Sequence, residues 1–281
     1  MNGGYAMTTA SVGSYLEVAP GVEIYYEEHG TGSPLVFVPG WTFTTEVFEH
    51  QVAHFARSHR VIVVDPRSQG RSSKTLQGND YSTHGADLAK LFASLELRDV
   101  VLVGWSTGTL DVLGYVQHAG TSALKGVVGI DMSPKPLSVS SDDWVEGPLD
   151  ELAGAWRAFL RSPQGQRDFI IYYANEVMVQ RALSPVEQDW IVRQSLTTPH
   201  YLASAIFADA MFCDFSAELQ TLAQAVPTLY VLAEHWAETA TAFLTRNFPL
   251  VKTEVFGGHM MFWEHAERFN ATLANFIEGL G

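Results

Sequence analysis

The chain has 281 residues, 47% apolar and 17% charged, with 31 acidic against 17 basic side chains and a formal net charge of -14. A chain of this length buries about three quarters of the surface its unfolded form exposes, so its core needs no staples; the one cysteine, Cys213, excludes an internal disulfide and a Cys-based zinc knuckle. The acidic balance repels phosphate backbones and anionic membranes, which argues against nucleic-acid and membrane partners, and no stretch approaches the roughly 18 to 20 apolar residues of a membrane span. Residues 1–14, MNGGYAMTTASVGS, carry neither a basic region nor a long apolar run and read as a disordered lead-in. With the single cysteine, this makes a reducing, cytoplasmic setting the simplest expectation.

In chain order, short β-branched runs start at Val22 (VEIYYEE), Pro34 (PLVFVPG), Arg60 (RVIVVD), Asp99 (DVVLVG) and Lys125 (KGVVGID). The last four are almost continuously apolar, the pattern of strands covered on both faces. Helical spacing fills the gaps at Glu46 to Ala56, Thr83 to Leu95 and Thr107 to Gln117, so strand and helix alternate and predict a mostly parallel sheet. The alternation resumes with PTLYVLA from Pro227, a helix from Glu238 to Asn247, VKTEVF from Val251, and a closing helix from about Glu264 to Leu280.

Residues 134–225 lack a comparable strand, are rich in aromatics, and have room for about four helices. The aromatics could simply pack these helices together, or they could roof a pocket at the carboxyl ends of the strands, where open α/β sheets bind ligands. The expected organisation is a core of residues 15–133 and 226–281 with a helical cap inserted at 134–225.

The most specific motif is Gly104-Trp105-Ser106-Thr107-Gly108, which joins a buried strand directly to a helix. It matches G-x-S-x-G in the required strand–turn–helix context. Small residues two before and two after the serine relieve clashes in so tight a turn, and the serine is presented at the top of the sheet. A serine is a poor nucleophile unaided, so a base and an orienting carboxylate must lie close by. Among ten histidines, His259 in VFGGHMMFWEH is placed best, after the last strand and behind two glycines that permit a sharp loop. His50, His54 and His59 lie at near-helical spacing, but no carboxylate ligand motif accompanies them, so no metal is expected.

With these residues, the chain resembles the α/β-hydrolase superfamily from about Leu16 onward. The resemblance implies an eight-stranded, mostly parallel sheet with helices on both faces and an inserted helical cap. It also implies an oxyanion hole made by the backbone N–H groups of Trp41, in PLVFVPGW, and Thr107, after the serine. Pro39 stands where the family usually has histidine. Asp65-Pro66-Arg67-Ser68-Gln69-Gly70-Arg71-Ser72 is similar to the family's D-x-R-G-x-G-x-S turn, with Ser68 in place of a glycine, and reads as structural.

The acid departs from the common pattern. After the penultimate strand, where members commonly carry aspartate, the chain has Trp236 within Glu234-His235-Trp236. Other members take the acid from the end of the preceding strand, where Asp131 closes GVVGID. A buried strand ending in aspartate needs a partner, and a triad histidine is one. Glu238 and Glu234 remain alternatives, and Asp131 could instead cap a loop.

The resulting expectation is a serine hydrolase of small, largely apolar esters or lactones, with Ser106, His259 and Asp131 catalytic, Trp41 and Thr107 at the oxyanion, Trp105, Trp144 and Trp156 against the substrate, and no cofactor. PGW, the Asp131 placement with PKP after it, and the His259 loop also resemble the cofactor-independent dioxygenases of 3-hydroxy-4-quinolones, which use a His/Asp base. Their elbow resembles S-H-S-H-G, whereas this chain keeps G-W-S-T-G. A ligand receptor on the same scaffold would preserve the fold too.

Overall fold

The computed structural model describes residues 13–281 except residue 141. Eight strands form one sheet: β1 (Ser14–Ala19), β2 (Val22–His29), β3 (Ser33–Val38), β4 (His59–Asp65), β5 (Val100–Trp105), β6 (Leu124–Ile130), β7 (Thr228–Leu232) and β8 (Lys252–Val255). Their order is β1-β2-β4-β3-β5-β6-β7-β8, with β1 and β2 antiparallel to their neighbours and the rest parallel. This is the α/β-hydrolase fold. The central β5 is buried at every residue, as its unbroken apolar run requires, while the edge strands β1 and β8 are largely open to solvent.

Helices α1 (Glu49–Phe55), α2 (Tyr81–Ser94) and α3 (Gly108–Ala119) join the first parallel strands. Between β6 and β7 stand five more: α4 (Leu149–Phe159), α5 (Pro163–Tyr173), α6 (Pro185–Ser195), α7 (His200–Phe212) and α8 (Ser216–Ala225), with a π-helical turn at Ala174–Met178. Helix α9 (Ala237–Asn247) links β7 to β8, and α10 (Met261–Glu264) and α11 (Ala266–Glu278) close the chain. Among the described residues no helix is long and apolar enough to cross a membrane.

Two sequence expectations change. The lead-in expected at 1–14 lies outside the described residues up to 12, and its last residue, Ser14, already opens β1. That strand escapes a search for apolar runs because only Val18 in SYLEVA is buried. The closing helix is α11, which begins at Ala266, and an unexpected one-turn helix, α10, precedes it.

The Asp65 turn is a structural clamp. Asp65 is fully buried and accepts hydrogen bonds from the backbone N–H of Thr45 and of Arg71, each at 2.7 Å. Ser68 holds φ 66°, the left-handed conformation that glycine supplies elsewhere in the family pattern. Arg67 donates from Nε and Nη2 to the two carboxylate oxygens of Asp87 on α2, at 2.7 and 2.8 Å. The Gln69 side chain accepts from the N–H of Thr42, so the turn also steadies the loop after β3.

Candidate active site

Parallel register brings the site together at one sheet edge. Trp105 at the end of β5 pairs with Ile130 at the end of β6, so Ser106 and Asp131 are the first residues past adjacent strands. The N–H of Ser106 donates to Ile130 O at 2.7 Å, and that of Asp131 to Val231 O at 2.9 Å. Both residues take positive φ, 52° and 51°. For non-glycine residues this is a strained conformation, held here by the strand ends that flank it.

The glycines of the elbow are sterically required. A Cβ on Gly104 would lie 2.4 Å from Gly108 O, and one on Gly108 would lie 2.3 Å from Val38 O. A Cβ on Gly40 would come within 2.8 Å of the Ser106 Cβ, so the loop after β3 passes directly beside the serine. That loop carries Trp41. Its indole Nε1 donates to Ala203 O on α7 at 2.7 Å, and its ring packs edge-on against Phe169 and Phe207. Among the described residues neither the Trp41 N–H nor the Thr107 N–H donates to another protein group. Thr107 precedes the first turn of α3, whose dipole favours negative charge.

His259 and Asp131 meet at 2.6 Å, Nδ1 to Oδ2, both buried. The second carboxylate oxygen accepts from Ala233 N at 2.8 Å, which fixes the acid against the end of β7. With Nδ1–H donating to Asp131, Nε2 is the ring nitrogen left to face a reacting group, and that atom is buried without a partner. No Ser106–His259 hydrogen bond is formed, a contact that tightens in many enzymes only when substrate binds. Gly257 at φ 69° makes the turn into the histidine loop. Gly258 passes so close that a Cβ would meet Met178 O at 2.8 Å. The N–H groups of His259 and Met260 then donate to Val177 O and Met178 O, locking the loop to the π-helical turn. The alternative acids lie elsewhere: Glu234 and Glu238 are exposed, and Glu234 accepts from Gln180 at 2.8 Å.

Ser106 and Thr107 line a cavity of about 320 Å³. Its walls are mainly apolar, with Trp41, Met132, Leu152, Phe169, Phe207 and Met211 prominent. None of the three tryptophans expected against substrate lines it. Trp105 belongs to a strand covered on both faces; its ring is buried against Phe43, Phe262 and His259, and its Nε1 donates to His259 O at 2.8 Å. It supports the histidine loop from behind. Trp144 is fully buried against Tyr230. Trp156 lines an adjoining apolar cleft between α4 and α7, which shares Leu152, Phe207 and Met211 with the cavity, and donates to Ser204 Oγ at 2.6 Å. Aromatic composition carries no information about side-chain direction, so it does not separate these tryptophans from the residues that line the cavity.

Residues that sequence reasoning missed include Tyr173, whose ring packs edge-on against His259 with centroids 5.5 Å apart, and Glu146. Burial pushes the pKa of Glu146 up to about 7. It lies before α4 in a stretch with no periodic signal, and only the folded chain brings it over the strand ends. His50, His54 and His59 lie along α1 and at the start of β4, and no group of three or more potential metal ligands occurs among the described residues.

Comparison with known proteins agrees with this architecture. A non-heme haloperoxidase of Rhodococcus erythropolis is 30% identical over 283 residues, covering 94% of this chain and 99% of that protein. The crystal structure of a bromoperoxidase from Bacillus anthracis matches with TM-score 0.85 at 24% identity, over 95% of this chain and all (100%) of that one. An esterase from Exiguobacterium antarcticum matches with TM-score 0.83, also at 24% identity, over 95% and 100%. Residues 35–272 match the model of the alpha/beta hydrolase family, and the chain belongs to that family.

Proposed function

We propose that the protein is a serine hydrolase of small, largely apolar esters or lactones, acting through an acyl-enzyme. The observation that carries this reading is the buried 2.6 Å contact between His259 and Asp131, at the same sheet edge as Ser106 on its strand-to-helix elbow. His259 Nε2 takes the proton as Ser106 Oγ attacks the carbonyl carbon, and Asp131 orients the ring and stabilises the imidazolium. The Trp41 and Thr107 N–H groups, which have no other partner among the described residues, receive the oxyanion. Collapse of the tetrahedral intermediate breaks the ester C–O bond, and the imidazolium returns its proton to the leaving alkoxide. Water then attacks the acyl-enzyme with His259 again as base, releasing the acid and free Ser106. The helices between residues 134 and 225 serve as the cap, supplying Phe169, Phe207 and Met211 to a cavity whose volume suits a small ligand.

A second reading follows from the likeness to a non-heme haloperoxidase. Hydrogen peroxide in place of water would attack the same acyl-enzyme, give its proton to His259, and leave as a peracid while Ser106 is regenerated. An ester panel assayed with and without hydrogen peroxide tests both. Ester turnover that is lost in Ser106→Ala supports the hydrolase. Peracid formed at the expense of the carboxylic acid favours the second reading. Ester turnover that survives Ser106→Ala removes both. Oxygen uptake with a hydroxyquinolone that persists in the same variant supports the His/Asp dioxygenase instead.

A further inference from the structure

Among the described residues, this scheme leaves one buried carboxyl of the cavity unused, that of Glu146. Its backbone N–H donates to Pro136 O at 2.8 Å, which holds the residue over the strand ends. Its side chain lines both the cavity with Ser106 and a more polar neighbouring cavity of about 590 Å³. The residue as a whole is half-buried, but its Oε1 is fully buried and has no hydrogen-bond partner. A buried oxygen without a donor is costly, so a ligand that brings the donor gains what the protein leaves unmade.

The surroundings decide which donor. Neither cavity is lined by a lysine or arginine among the described residues. Of the titratable groups around Glu146, the Tyr173 phenol is held far above its ordinary pKa by burial, with the nearby Glu146 and Asp131 charges adding to the effect, and stays neutral. His235 is pushed below its ordinary value by burial and is neutral in mildly alkaline solution. Glu151 and Glu176 add negative charge, and His259, the basic group whose charge acts favourably on Glu146, is held at 2.6 Å by Asp131. An ionised Glu146 therefore has no fixed cation of its own, and the aromatic side chains of Trp41, Phe169 and Tyr173 line the same cavity.

We propose that Glu146 determines specificity by taking a protonated amine, so that the preferred substrate is an ester with an apolar body and a single ammonium group. The ester part of this statement rests on the hydrolase reading; the binding of the amine does not. Neutral compounds would bind more weakly, and carboxylates would be excluded by the same charge.

The test measures calorimetric binding at pH 8 of phenethylammonium, phenethyl alcohol and phenylacetate to the Ser106→Ala protein. The ammonium is expected to bind at least about tenfold tighter than the alcohol, with phenylacetate weakest. Adding Glu146→Gln should bring ammonium and alcohol within about threefold of each other. Equal affinities of the three ligands, or an ammonium preference that survives Glu146→Gln, would overturn the proposal. The three-ligand comparison needs no variant at Glu146, so it decides even if that variant fails to fold. With Ser106 intact, the ratio of kcat/KM for methyl 6-aminohexanoate over methyl heptanoate should exceed tenfold and collapse in Glu146→Gln. If neither ester turns over but the ammonium preference holds, the ester part of the proposal fails and the binding of the amine at Glu146 stands.

Discussion

The floor of the cavity and its roof are built on different physics. On the floor Ser106, and buried behind it Asp131 and the His259 loop, are placed by backbone: strand register, positive φ, and glycines whose Cβ atoms would strike carbonyl oxygens at 2.3 to 2.8 Å. The roof, from α4 to α7, is placed by side chains, with Phe169, Phe207 and Tyr173 packing on Trp41, on one another and on His259. Backbone constraints of the first kind tolerate almost no substitution, whereas apolar packing tolerates exchange at modest cost. Chemistry and specificity should therefore respond to mutation separately.

The largest expected effect lies on the floor. Ser106→Ala should lower kcat by about 10⁴-fold or more with an unchanged circular dichroism spectrum. Asp131→Asn comes next, with a loss of hundreds-fold or more, because the amide can hold His259 in the wrong tautomer. Glu234→Gln and Glu238→Gln should each change the rate less than about tenfold, and a reversal of that order would move the acid to the end of β7.

Gly108→Ala sharpens the contrast through stability. Its Cβ would sit 2.3 Å from a backbone oxygen that cannot move aside, so chemical denaturation should show a loss of at least about 2 kcal/mol. In the roof, Phe207→Leu should cost about 1 kcal/mol and mainly alter the relative kcat/KM of short and bulky acyl groups. Equal stability losses at the two positions would erase the distinction between floor and roof.

Glu146 adds a pH dependence to the roof. Burial raises its folded-state pKa from 4.5 to about 7, so between those values the folded protein keeps a proton that the unfolded chain has lost. Stability from this group is full below about pH 4.5, declines as the pH rises to about 7, and stays low above. Glu146→Gln removes that decline. Relative to the wild type it should gain about 1 to 3 kcal/mol at pH 8 compared with pH 4.5, measured by denaturation at both values. A stability difference that does not change with pH would show that this carboxyl is not desolvated.

What the sequence makes legible follows the same division. Gly104, Ser106 and Gly108 are readable because the elbow admits almost no other residues, and β3 to β7 are readable because two-sided burial demands unbroken apolar runs. Asp131 is readable as the polar residue ending such a run. The roof is not readable in this way. Trp144 and Trp156 look like pocket residues by composition, yet one is buried against Tyr230 and the other lines an adjoining cleft rather than the cavity itself. Phe169 and Phe207, which do line the cavity, carry no mark that distinguishes them. Glu146 is placed by a loop between a strand and a helix, and tertiary packing alone decides which way it faces.

The central claim is that Ser106 is the nucleophile activated by His259 and Asp131. Its most direct measurement is intact mass and peptide mapping after reaction with a fluorophosphonate. The account predicts one adduct, on the peptide containing Ser106, formed quickly in the wild type, absent in Ser106→Ala, and slowed at least about a hundredfold in Asp131→Asn. An adduct at another residue, or no adduct on a folded protein that still hydrolyses esters, would contradict it.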